Sequence, residues 1–273
     1  MNERRYCYPP LKLHRDSRSG EVSIGEVAAR VMENLTVEAA GTIAAVNTIT
    51  LGPSANSARR TGKGGARNHS DRESFALKSA QVENLVAATQ HALKIGLPFN
   101  RMITVHWEAA GVPLKDMPQA TGRFIDLLSK TVTRKGGKVA WVWVHEGGEK
   151  KGGHVHILAH VPEHVIDVVT NLQMGWLKAI TGSVYRRGVI HTKPIGQRRG
   201  LEKNNPLLHR ENLNSVLMYI LKGSSTDAAR KIGLVRLEPG GRVIGKRCGT
   251  SQNIGLKART NTQIAALAQG ITV

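Results

Sequence analysis

The tightest constraint on this chain is a single hairpin. Residues Lys138 to Val161 read as two strands rich in Val, Trp and Ile, joined by Gly147-Gly-Glu-Lys-Lys-Gly-Gly153. β-Branched and aromatic residues favour strands, and glycines on both shoulders favour a reversal between them. The second strand carries His154-Val155-His156. Side chains alternate along a strand, so both imidazoles share one face and Val155 points to the other. If Glu146 pairs with His154, then Val144 pairs with His156 and Val142 with Leu158. Glu146 then stands beside both imidazoles. A slip of one residue puts His145 there instead, and Glu149 in the turn is a third candidate. His160 shares the face but lies four residues past His156, ~13 Å along the strand and too far to share an ion. One carboxylate with two neutral imidazoles makes a mixed nitrogen and oxygen site, suited to Mg²⁺ or Mn²⁺ more than to a closed zinc site. The bland reading of the same residues is a surface hairpin with incidental histidines.

Around the hairpin the periodicity predicts helices over 24–40, 74–94, 119–135, 163–180 and 211–222. It predicts strands over 98–107 and 184–195, and a polar loop over 196–207. From residue 97 the order is β-α-β-β-α-β-α, an α+β pattern. It calls for an antiparallel sheet with helices on one face. Residues 1–72 read as a basic, partly disordered region with one helix and a Gly/Ser/Arg-rich linker over 56–70. Residues 73–225 form the main domain, and 226–273 a basic tail.

The last predicted helix holds the second chemical feature. Leu213, Val216, Leu217, Ile220 and Leu221 recur at helical spacing and should face the sheet. Asn212, Ser215, Tyr219 and Lys222 form a polar stripe, and Gly223 is a helix stop. A phenol with an ammonium one turn away suits phosphoryl transfer. Its ordinary pKa of ~10 means that it needs help to act as a nucleophile, and Lys222 either eases that ionisation or holds the phosphate. The bland reading is a tyrosine packed at a helix edge.

Charge points to the partner. The 273 residues carry 39 Lys and Arg against 20 Asp and Glu, a net charge of +19. That excess exceeds what solubility requires and favours a polyanion, nucleic acid first and an anionic membrane second. Arg186, Arg187, Lys193, Arg198 and Arg199 cluster near the predicted fourth strand, and Lys246 and Arg247 lie in the tail. All are candidate DNA-backbone contacts, whose binding falls with salt. Cys7 and Cys248 are the only cysteines, there is no apolar run of ~18 residues, and the N-terminus lacks a signal-peptide core. The expectation is a cytoplasmic protein with no membrane partner. Gly240-x4-Gly245-Lys246 imitates a Walker A loop, but Arg247 stands where Ser or Thr should follow.

Together these residues resemble the HUH endonuclease superfamily, in particular rolling-circle replication initiators of the one-tyrosine type. The resemblance covers about residues 97–225. It rests on Phe99-Asn-Arg-Met-Ile-Thr-Val-His-Trp107 as a loose first motif, on His154-Val-His156 with Glu146 eight residues before it, and on Tyr219-Ile-Leu-Lys222. It implies a five-stranded antiparallel sheet and metal-dependent nicking of single-stranded or hairpin DNA at a replication origin. Tyr219 would be left joined to a 5′-phosphate, with a free 3′-OH for a host polymerase and unwinding by a host helicase. The first motif departs from the pattern, which leaves the roles of Thr104 and His106 open. The same chemistry would serve a mobilisation relaxase or a one-tyrosine transposase. Two other classes compete: a non-catalytic basic nucleic-acid-binding protein, and a phosphohydrolase that acts through water.

Overall fold

The computed structural model describes residues 71–148 and 151–268. The expected helix over 24–40, the linker over 56–70 and the candidate ligand Glu149 lie outside them. The described chain runs β1 (Glu73–Ser74), α1 (Ser79–Lys94), β2 (Arg101–Val105), α2 (Met117–Arg134), β3 (Ala140–Gly148), β4 (Gly152–His160), α3 (Ile166–Thr181), β5 (Ile190–Pro194), α4 (Leu201–Asn204), α5 (Pro206–Leu221), α6 (Thr226–Lys231), β6 (Val243–Ile244), β7 (Cys248–Thr250) and α7 (Leu256–Ala268). Five strands form one sheet in the order β5-β2-β4-β3-β7, and every pairing in it is antiparallel. A separate two-stranded ribbon joins β1 to β6.

The β3–β4 hairpin is the centre of the sheet. Its pairing sets Glu146 against His154, Val144 against His156 and Val142 against Leu158, the register in which Glu146 joins the imidazoles. Most residues of both strands are buried, on both faces, so the hairpin is covered on both sides. This corrects the expectation of helices on one face. On one side, Phe124 and Leu128 of α2 and Trp176 and Leu177 of α3 pack with Ile103, Val105, Trp143, Val155 and Ile157. Phe124 takes Trp176 edge-on at 5.5 Å and Trp107 at 6.4 Å, contacts worth roughly 0.5–1.5 kcal/mol each beyond their buried area. On the other side lie α5, whose Tyr219 meets His156 of β4, and α1, which packs against β3 and β7.

Helix ends differ from the sequence expectation for local reasons. The helix expected from Glu211 begins at Pro206, because Asn205 Oδ1 accepts a hydrogen bond from Leu208 N at 3.0 Å and proline suits the first helical position. The helix expected from Ser74 begins at Ser79, because Glu73–Ser74 is given to β1. The loop expected over 196–207 contains α4, and the strand expected from Val184 is confined to Ile190–Pro194.

Segment 226–273 is more than a tail. β7 is the fifth strand of the sheet, paired with β3 from Val142 to Val144, and α7 packs on α1. Close approach decides which residues fit here. A Cβ on Gly249 would lie 2.8 Å from the Trp143 ring, and one on Gly147 would lie 1.9 Å from the Arg242 carbonyl oxygen. Gly147 therefore lets the segment before β6 close against the end of β3. The glycine-rich run 240–245 is part of that closure, and it leads into a strand instead of a helix, unlike a phosphate-binding loop.

Candidate metal centre and its tyrosine

Neighbouring strands and one helix assemble the site on the α5 side of the sheet. Glu146, His154 and His156 are buried, and one ligand atom from each lies within 4.8 Å of the others. This group can bind a metal ion. His154 Nε2 is 3.4 Å from Glu146 Oε2, and His156 Nε2 is 3.8 Å from Glu146 Oε1. Each ring is held by its other nitrogen. His154 Nδ1 lies 2.9 Å from the Gly152 carbonyl, which only accepts, so Nδ1 carries the proton and Nε2 presents a lone pair. His156 Nδ1 lies 2.9 Å from Thr104 Oγ1, and its Nε2 is buried without a hydrogen-bond partner. A buried nitrogen left unsatisfied, facing a carboxylate, fits a cation between them.

The charges agree with that fit. Burial alone would raise the Glu146 pKa. His154, His156 and the Lys222 ammonium outweigh burial and hold the carboxyl at about 2. Burial keeps the His156 imidazole well below its ordinary 6.5, so it stays neutral and able to ligate.

Tyr219 and Lys222 complete the cluster. The Tyr219 ring meets His156 edge-on, with centroids 5.3 Å apart. Lys222 is 5 % exposed, forms an ion pair with Glu146 Oε1, and sits over the Tyr219 ring 4.5 Å from its centroid. Its charge is therefore committed to the carboxylate. The expected polar stripe splits: Tyr219 and Lys222 reach the site, while Ser215 and Asn212 bond to carbonyls of their own helix.

His145 is ruled out as the third ligand. It is fully buried on the opposite face of β3, with Nε2 2.8 Å from Thr121 Oγ1 and Nδ1 2.8 Å from the Lys246 carbonyl. Burial lowers its pKa to about 3. His160 is engaged with the Pro98 carbonyl at 2.8 Å.

The candidate DNA contacts divide. Arg247 is a correction: it is 2 % exposed. Its guanidinium donates to Ser74 Oγ at 2.9 Å, to the Gly240 and Gly241 carbonyls at 3.2 and 2.5 Å, and to the carbonyls of His145 and Ser74. It ties β1, β3 and the loop before β6 together and has no face for a phosphate. Arg186, Arg187, Lys193, Arg198, Arg199 and Lys246 are exposed. Arg199 is paired with Asp167 at 2.7 Å. Arg198 and Arg199 follow the Pro194 end of β5, which pairs with Arg101, whereas Arg186 and Arg187 precede β5 at the His106 end. The basic residues do not form one patch.

Three residues join the site that sequence reasoning left open or did not single out. Thr104 of β2 faces His156, and His106 follows directly after the strand. His106 stacks on His154 with centroids 5.3 Å apart, and His191 of β5 meets His106 edge-on at 5.8 Å. Burial and the charges of His154, His191 and Lys151 bring the His106 pKa to about 4. The available signal was the alternation Met102-Thr104-His106, but it needs the β2–β4 register, which no local pattern supplies. Compared with known protein families, curated proteins and solved structures, the chain matches none.

Proposed function

We propose that this protein is a metal-dependent, site-specific endonuclease and strand transferase of the HUH type. It nicks and rejoins single-stranded DNA through Tyr219 and starts rolling-circle replication of a plasmid or phage, in the cytoplasm and with a host helicase and polymerase. One observation carries the reading: a tyrosine ring packs against a histidine of a buried Glu-His-His group that can hold a metal ion.

The Tyr219 oxygen attacks the scissile phosphorus in line with the leaving 3′ oxygen. A phosphorus–tyrosine oxygen bond forms, the phosphorus–3′ oxygen bond breaks, and the phenol gives up its proton while the 3′ oxygen gains one. The products are a 5′-phosphotyrosine and a free 3′-OH, and the reverse reaction rejoins the ends. Held by Glu146, His154 and His156, a bound Mg²⁺ or Mn²⁺ would neutralise charge on a non-bridging phosphate oxygen. Thr104 and the Gly152 carbonyl hold both imidazoles, and Lys222, paired with Glu146, ties the carboxylate to the ring of the nucleophile. Ser215 and Gly223 stand one turn either side of Tyr219, which fits a one-tyrosine cycle. Exposed Arg186, Arg187, Lys193, Arg198 and Lys246 contribute backbone attraction that weakens with salt.

The test is a denaturing gel. With Mn²⁺ and single-stranded origin oligonucleotides, the protein forms a boiling-resistant protein–DNA adduct. Tyr219→Phe forms none and still binds the DNA. Cleavage without an adduct would instead support hydrolysis by water.

A further inference from the structure

On the α5 side of the sheet the rings of Tyr219, His156, His154, His106 and His191 form an unbroken run, with successive centroids 5.3, 4.9, 5.3 and 5.8 Å apart. The metal reading uses the first three. His106 and His191 remain, and they lie where the site opens. Both ends of the run reach the surface: Tyr219 is partly exposed, His156 and His154 are 1 % and 3 % exposed, His106 is partly exposed and His191 is exposed. The β3 side is closed by Lys222, buried against Glu146. His106 and His191 thus give the β2 and β5 side of the site a surface that a strand can reach.

The surroundings of the two rings are cationic. Lys193 is exposed on the same face of β5 as His191, two residues on. Lys151 is exposed at the turn of the hairpin, directly before the strand that carries His154. Arg186 reaches the Ala109 carbonyl at 3.4 Å, just beyond the His106 end of β2. The nearest acidic residue in sequence, Glu108, has Oε2 occupied by the Gly153 amide at 2.7 Å. Flat rings beside flexible cations are what an unpaired nucleotide recognises: the ring face takes the base and the cations take the backbone.

We propose that His106 and His191 form a base-stacking platform for single-stranded DNA, seating the nucleotide next to the phosphate at the metal centre while the strand lies along β2 and β5. This rests on the single-stranded-DNA reading above. The platform adds no covalent step. It fixes where the strand runs and makes binding depend on the presence of bases.

The test uses the full chain in EDTA, where no metal-dependent cleavage occurs, and reads fluorescence anisotropy of a labelled oligothymidine and of its abasic counterpart. His191 is exposed, so its variants fold. His191→Ala weakens oligothymidine binding about tenfold and abasic binding less than about twofold, whereas His191→Phe restores oligothymidine binding to within about threefold. Undiminished binding by His191→Ala overturns the platform. Equal losses on both oligonucleotides, or failure of His191→Phe to restore, also overturn it, because a phosphate or metal contact is then lost instead. If the unaltered protein binds neither oligonucleotide, the single-stranded-DNA reading itself fails. If it binds oligothymidine and His191→Ala matches it, the platform alone fails.

Discussion

Thr104 and His156 face each other across β2 and β4, with Thr104 Oγ1 2.9 Å from His156 Nδ1. With Nδ1 donating to Thr104 Oγ1, His156 Nε2 becomes a buried lone pair facing Glu146, 3.8 Å from its Oε1. Removing such an outer hydrogen bond costs roughly 10–100-fold in metal affinity. Thr104→Val should therefore weaken Mn²⁺ binding by about that factor in isothermal titration, and Thr104→Ser should recover most of it. Equal affinity for Thr104→Val and the unaltered protein would mean that the hydroxyl does not orient the ligand.

The Glu146–Lys222 pair is buried, with side chains 8 % and 7 % exposed. Removing one partner strands the other charge, at a cost of about 3 kcal/mol. In metal-free protein, Lys222→Met and Glu146→Gln should each lower urea-unfolding stability by about that much, and the double variant should lose less than the sum. Additive losses would show that the two groups do not interact.

Arg247 should behave as a structural residue. Arg247→Met leaves the buried carbonyl of Gly240 and the part-buried ones of Gly241 and Ser74 without their donor, at a cost of about 1–3 kcal/mol. The salt dependence of DNA binding should stay unchanged, whereas Arg187→Ala should lower the salt slope by about one. A reduced slope for a folded Arg247→Met protein would restore it as a phosphate contact.

His160 gives a pH signature. Burial outweighs its bond to the Pro98 carbonyl and holds its pKa below the ordinary 6.5. The unfolded chain thus takes up more protons than the folded one as pH drops below 6.5. The associated stability is present above 6.5 and lost on acidification toward the lower folded value. Asparagine keeps a donor near Nδ1 but does not titrate. His160→Asn should lose less stability between pH 7 and pH 5 than the unaltered protein in urea titrations, and an identical loss would assign the acid sensitivity elsewhere.

The hairpin was legible because glycines bracket its turn and its strands are rich in Val, Trp and Ile, but strands buried on both faces carry no alternation to fix the register, so His145 stayed open beside Glu146 until the pairing of Glu146 with His154 decided it. Tyr219 and Lys222 were legible as neighbours on one polar stripe of α5, but the apolar stripe was expected to take the sheet side, and only the packed helix shows Tyr219 against His156. β7 was not, since Cys248-Gly-Thr250 is too short for an alternation and is held by Gly249 lying against Trp143. Arg247 read as a surface cation, because the carbonyls that bury it come from β1, β3 and the loop before β6. His106 and His191 depend on the pairings of β2 with β4 across one helix and of β2 with β5 across two, which sequence spacing does not encode.

The central claim is that Tyr219 is the nucleophile. The most direct measurement is mass spectrometry of a protease digest after reaction with single-stranded DNA and Mn²⁺. The chain has four tyrosines, and among the described residues only Tyr185 competes with Tyr219. The account predicts a nucleotide mass on the Tyr219 peptide alone, absent when Glu146 is changed to Gln. A nucleotide on Tyr185, or cleaved DNA with no tyrosine modified, would contradict it.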